Sequence, residues 1–84
     1  MKKETFTLFT FENNKKRYVY EISRTNVYMS EDRETAIKFD SRELAYMLRD
    51  YLNRRAINTK YFISCIVIEE LVLDEETEET EKEN

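Results

Sequence analysis

No glycine and no proline occur anywhere in this chain of 84 residues, so every corner must be turned by a residue that carries a Cβ. Left-handed backbone then falls to asparagine, which tolerates it better than other non-glycine residues. Asn13 and Asn14 mark the first expected corner, and Asn26, Asn53 and Asn58 mark others. The same absence removes whole classes of function. Walker A loops and dinucleotide fingerprints need glycines so that backbone N–H groups can crowd against phosphate, and a nucleophile elbow needs them to relieve its turn.

Histidine is also absent and Cys65 is the single cysteine. The usual general base near neutral pH and the serine or cysteine triads are therefore excluded. An intramolecular disulfide is impossible, and a thiolate or imidazole zinc site lacks its ligands. Carboxylates remain, but no pattern places two of them on a rigid element beside an apolar pocket, as a raised carboxyl pKa requires. The reading is a protein that is not an enzyme and takes no cofactor or metal. A lone cysteine fits a reducing compartment. Lys2 and Lys3 precede no apolar run of signal-peptide type, and no stretch approaches ~18 apolar residues. A cytoplasmic protein with no membrane partner is expected.

Charge is divided unevenly. Residues 69–84 hold nine carboxylates and one lysine, whereas the preceding residues hold thirteen Lys/Arg against nine Asp/Glu. A body near +4 thus carries an end near −8, an asymmetry that points to an electrostatic partner or a solubilising appendage. Beyond Asp74 there is too little apolar surface to offset chain entropy, so residues 74–84 are expected as a disordered acidic tail on a single domain of residues 1–73. A core of about seventy residues without staples leaves only a few kcal/mol of stability.

Along the body, Thr5 to Glu12 reads as a strand whose apolar parity switches between Leu8 and Phe9, which means either cover on both faces or a bulge. Arg17 to Ser23 alternates, with Tyr18, Tyr20 and Ile22 on one face and Arg17, Val19, Glu21 and Ser23 on the other. The two runs predict a hairpin. A third strand is expected at Asn26 to Ser30, then a helical turn capped by Ser30, then an extended Ile37-Lys38-Phe39. Asp40 with Glu43 reads as a capping box for a helix from Ser41 to about Arg55, burying Leu44, Met47, Leu48, Tyr51 and Leu52 at helical spacing. Tyr61 to Ile68 is almost continuously apolar, the pattern of a strand buried on both faces in the middle of a sheet. Leu71 to Leu73 extends it or makes a separate edge contact.

These elements make the fold class α+β: a small antiparallel sheet of three to five strands in the order β-β-β-(β)-α-β, with one helix packed on one face. Eleven aromatics exceed what one helix-to-sheet interface needs. Phe9, Phe11, Tyr28 and Tyr61 are therefore candidates for an exposed aromatic patch. Such a patch could stack single-stranded nucleic acid, with Lys15, Lys16, Arg17, Arg54, Arg55 and Lys60 tracking its backbone and the tail acting as an autoinhibitory competitor. A homodimer that buries a spare sheet face is a third possibility.

The run Tyr18 to Ser23, then Thr25 to Ser30, then Ala36-Ile37-Lys38-Phe39-Asp40-Ser41 leading into Leu44-Ala45 and Leu52-Asn53 resembles small uncharacterised accessory proteins of phages and prophages of low-GC Gram-positive bacteria. The resemblance covers about Phe6 to Ile68, and it implies a compact non-enzymatic protein that binds and inhibits a host or defence protein in a bacterial cytoplasm. It carries over no assigned site. Tyr and Arg dominate interface centres, so Tyr28, Tyr46, Arg49 and Arg54 are the candidate partner-binding residues, together with the carboxylates Asp74, Glu75, Glu76, Glu78 and Glu79.

Overall fold

The computed structural model describes residues 3–68 and 71–75. The chain is α+β, as expected, with five antiparallel strands and one helix. The strands are β1 (Thr5–Glu12), β2 (Lys15–Ile22), β3 (Val27–Ser30), β4 (Phe62–Ile68) and β5 (Leu71–Asp74), in the spatial order β3-β2-β1-β4-β5. The helix, α1 (Arg42–Arg55), lies between β3 and β4 in the chain. The central strand is β1; β4 is interior, flanked by β1 and β5. Leu71 to Leu73 belongs to the fold as an edge strand. Asp74 closes that strand and Glu75 packs beyond it, so the described structure runs two residues into the segment expected as tail. Residues 76–84 lie outside the described residues, and with them Glu76, Glu78 and Glu79.

The β1–β2 hairpin closes through Asn13 and Asn14, with φ of 55° and 66° between the paired residues Glu12 and Lys15. Two successive positive φ values are what a two-residue type I′ loop demands. β1 is covered on both faces and carries no bulge. Phe6, Thr7, Leu8, Phe9 and Thr10 are all buried, and its registers to β2 and β4 run without a shift. The bulge falls in β2 instead, where the pairing to β3 slips between Val19 and Glu21. A bulged residue inverts the facing of the residues beyond it. Val19 and Ile22 therefore both face the core, and Tyr20 turns outward, against the expected alternation.

Pairing between β1 and β2 stops at Phe9 and Tyr18. The extended segment after the third strand enters the gap that opens there. Ile37 N–H donates to the Val19 carbonyl at 3.0 Å, and Phe39 exchanges two 2.8 Å bonds with Phe6. The expected fourth strand is thus a single bridge. Before it, Asp32 rather than Ser30 caps a 3₁₀ turn at Arg33–Thr35 by accepting the Glu34 N–H.

Ser41, not Asp40, is the N-cap of α1, and its Oγ accepts the Leu44 N–H at 3.1 Å. An N-cap hydroxyl of this kind contributes about 1 kcal/mol. Arg54 and Arg55 occupy the last turn, where positive charge suits the helix dipole. α1 packs over β1 and β4, burying Ala45 and Leu52 against Phe6, Leu8, Val19, Tyr61 and Ile63. Leu52 is 1% exposed, so replacing it by alanine would cost about 2–5 kcal/mol through lost burial and the space left behind.

The opposite face of the sheet is closed by its own side chains. Phe9 stacks on Phe62 at 5.5 Å between ring centroids, and Phe11 meets Phe9 edge-on at 5.9 Å. The Lys16 ammonium lies 4.3 Å from the Phe9 ring centre and pairs with Asp74, reaching from β2 to β5 over the two strands between them. Phe9 is fully buried beneath this bridge. Among the described residues this aromatic cluster is thus covered by Lys16 rather than left open.

Candidate interaction surface

The expected partner-binding residues do not form one patch. Tyr28 stands on β3, 39% exposed, with its ring 6.2 Å from that of Tyr20, which the bulge turns outward beside it. Tyr46 and Arg49, three positions apart on α1, meet on the flank facing β5, where the guanidinium carbon lies 4.6 Å from the ring centre. Glu75 joins them by accepting from Arg49 Nη1. Asp74 lies on the other side of the sheet with Lys16, and Arg54 is exposed on the outside of α1. Of the four aromatics expected as a patch, Phe9 and Tyr61 are buried and Phe11 is half-buried in the Phe9–Phe62 cluster; Tyr28 alone is exposed.

The electrostatics of this flank are structural. Arg49 is held above its ordinary pKa: burial works against its charge, but the hydrogen bond to Asp50 and the nearby Glu75 outweigh it. Burial and Glu4 raise the Cys65 thiol above its ordinary value near 9.0, with Sγ 3.8 Å from Glu4 Oε2. Half-buried rather than enclosed, this thiol is still disfavoured as a thiolate. Among the described residues no cluster of three or more Cys, Asp and Glu is arranged to hold a metal ion. A hollow of about 310 Å³ is lined by Arg49, Asp50, Asn53, Lys60, Tyr61, Phe62 and Glu75. Glu75 already engages its arginine.

One exposed apolar feature was concealed by the helix pattern. Leu44, Met47 and Tyr51, expected in the core, are 50%, 68% and 43% exposed. At spacing i, i+3, i+7 they form a continuous ridge along the outside of α1. The helix carries two apolar files about 100° apart. One is Ala45, Leu48 and Leu52; the other is Leu44, Met47 and Tyr51. The sheet takes the first, because alanine lets the helix axis approach closely, and Ala45 is fully buried there. Apolar residues spread over more than one helical face are the sequence sign that one file would be left over. Arg55 crosses the end of the ridge, its guanidinium carbon 5.3 Å from the Tyr51 ring centre and its Nη1 donating to the Tyr51 hydroxyl and the Ser23 carbonyl.

No known protein family matches the chain, and it shows no significant similarity to a curated protein or to a solved structure. Among the described residues no helix is long and apolar enough to cross a membrane.

Proposed function

We propose that this chain is a small, non-enzymatic binding module of phage accessory type, which modulates a bacterial host or defence protein by occupying part of its surface. The outer ridge of α1 is the docking surface. The observation that carries the reading is the exposure of Leu44, Met47 and Tyr51 in one line on a rigid helix, flanked by Arg54 and Arg55. Isolated exposed apolar residues are ordinary, but a contiguous ridge of Leu, Met and Tyr beside arginines has the composition of an interface centre. The resemblance to phage accessory proteins supplies the class of partner.

Affinity capture from a lysate of a low-GC Gram-positive bacterium, comparing the natural chain with Met47→Asp, tests this. Met47 makes little contact with the core, so the substitution changes the surface and leaves the fold. A protein retained by the natural chain and lost with the variant supports the reading; identical capture by both overturns it. Nothing favours the nucleic-acid alternative comparably. Lys16 is engaged by Asp74, Arg17 by Glu12 and the Met29 carbonyl, and Phe9 and Phe62 are packed rather than offered for stacking.

A further inference from the structure

We infer that, before any other partner binds, the α1 ridge is covered by a second copy of this chain, packed antiparallel about a two-fold axis. This rests on the reading of the ridge as a docking surface and names its first occupant. The order of residues along the outside of the helix points to that occupant. Glu43, Met47, Asp50 and Arg54 succeed one another at i, i+4, i+7 and i+11, a file next to the ridge, with the Glu43 carboxylate at one end, the Arg54 guanidinium at the other, and Asp50 between them already paired with Arg49. All four are exposed, and neither Glu43 nor Arg54 has an ion-pair partner among the described residues.

A two-fold axis crossing this file between Met47 and Asp50 places Glu43 of one copy beside Arg54 of the other, twice over. It also sets each Met47 beside the other copy's Asp50, with the two Met47 side chains about 4.5 Å apart along the helix axis and Leu44 within about 3 Å of the level of the other copy's Tyr51. Parallel packing would instead set Glu43 against Glu43 and lay the helix dipoles side by side in the same direction, which is repulsive. Only the antiparallel arrangement satisfies charge, apolar contact and dipoles at once. A helix of 14 residues offers a strip about 21 Å long and about 10 Å wide, an area well below the ~1,200 Å² of stable complexes. The dimer is therefore weak and gives way to a partner that fits the ridge better.

Sedimentation equilibrium from about 10 μM to about 1 mM should show a reversible monomer–dimer equilibrium. Met47→Asp should weaken it about 10-fold or more, because the side chain is used twice at the interface centre. Glu43→Arg and Arg54→Glu should each weaken it about 5-fold, and the two combined in one chain should restore it to within about 2-fold. A chain monomeric at the highest concentration, a dimer indifferent to Met47→Asp, or a double variant no better than the single ones would each overturn the inference. Since Glu43→Arg also removes a favourable charge from the first turn of the helix, a second measurement is independent of it. In a Cys65→Ser background, a short bifunctional thiol reagent should join Met47→Cys chains into dimers and leave Ile57→Cys chains, exposed but beyond the helix, unjoined; equal joining of both is a contrary result. A monomer whose capture of another protein is still lost on Met47→Asp would sink the dimer and leave the docking surface standing.

Discussion

The Glu75 side chain stands where a backbone carbonyl would continue the sheet: its Oε1 accepts the Ile63 N–H while the Glu75 N–H donates to the Ile63 carbonyl at 2.9 Å. The second carboxylate oxygen takes the Arg49 guanidinium, so one residue ends the β5 ladder and fastens it to α1. Both side chains of the ion pair are largely shielded, at 28% and 21% exposure, and a charge-assisted bond there is worth more than a surface pair. Glu75→Ala should cost about 1–3 kcal/mol. Glu75→Gln keeps an acceptor for Ile63 and should lose less than half of that. Urea unfolding of the three proteins decides it; equal stability of all three would show the contact to be idle.

Lys16 does more through its stem than through its charge. Its ammonium lies over Phe9 and meets Asp74 from the far side of the sheet, so its methylenes cover rings that would otherwise face water. Lys16→Ala should destabilise by about 1–2 kcal/mol, and Lys16→Met by at most about half of that. Equal losses for methionine and alanine would transfer the effect to the ion pair, since both remove the charge and only methionine keeps the stem.

Thr7 and Ser64 face each other across β1 and β4, both fully buried, and neither hydroxyl has a hydrogen-bond partner among the described residues. A buried hydroxyl without a partner carries its desolvation cost uncompensated. Thr7→Val, which preserves shape, should therefore leave stability unchanged or raise it by up to about 1 kcal/mol, read as a rise in Tm of no more than about 8 °C. A clear loss of stability would mean that the hydroxyl is bonded after all.

The hairpin corner was legible because a glycine-free chain leaves few alternatives, and it gives a sharp test. Asn13 and Asn14 both sit at positive φ, where a Cβ costs roughly 1–2 kcal/mol in residues without a short polar side chain. Asn13→Ala should destabilise by about 1 kcal/mol, whereas Asn14→Gly, which produces the preferred Asn-Gly pair, should stabilise by a few tenths. The reverse order in thermal unfolding would exclude a type I′ loop.

The features hidden from sequence reading have identifiable physical causes. Strand count, helix limits and the burial of β1 on both faces depend on period and composition, which are local. The bulge at Tyr20 is not local: it arises where the segment around Ile37 bonds to Val19 and β2 turns from β1 to β3. Asp40 and Ser41 are adjacent residues of equal capping ability, and the choice between them depends on where Phe39 is held by Phe6. The helix had two apolar files of similar strength, and only contact with the sheet shows that Ala45 faces inward. For the same reason the candidate site was read in part. Tyr46, Arg49 and Glu75 come together because β5 ends beside α1, whereas Tyr28 and Asp74 are separated from them by the sheet order and its two faces.

Cys65 provides a pH-dependent prediction. Burial and the Glu4 carboxylate hold its thiol above the ordinary value near 9.0, with Arg42 opposing them. The folded protein thus keeps this proton at pH values where the unfolded chain has released it. Linkage then requires that the contribution to stability be fully present below about pH 9 and decline as pH rises through the folded thiol's pKa. Tyr61, raised above 10.0 chiefly by burial, adds a decline of the same sign at higher pH. Urea midpoints measured from pH 7 upward should be flat and then fall, and Cys65→Ser should remove the earlier part of the fall. Iodoacetamide should label Cys65 more slowly in the folded protein than in urea at equal pH, since the thiolate is the reactive form. A folded thiol that reacts as fast as the unfolded one would place Cys65 outside the influence of Glu4.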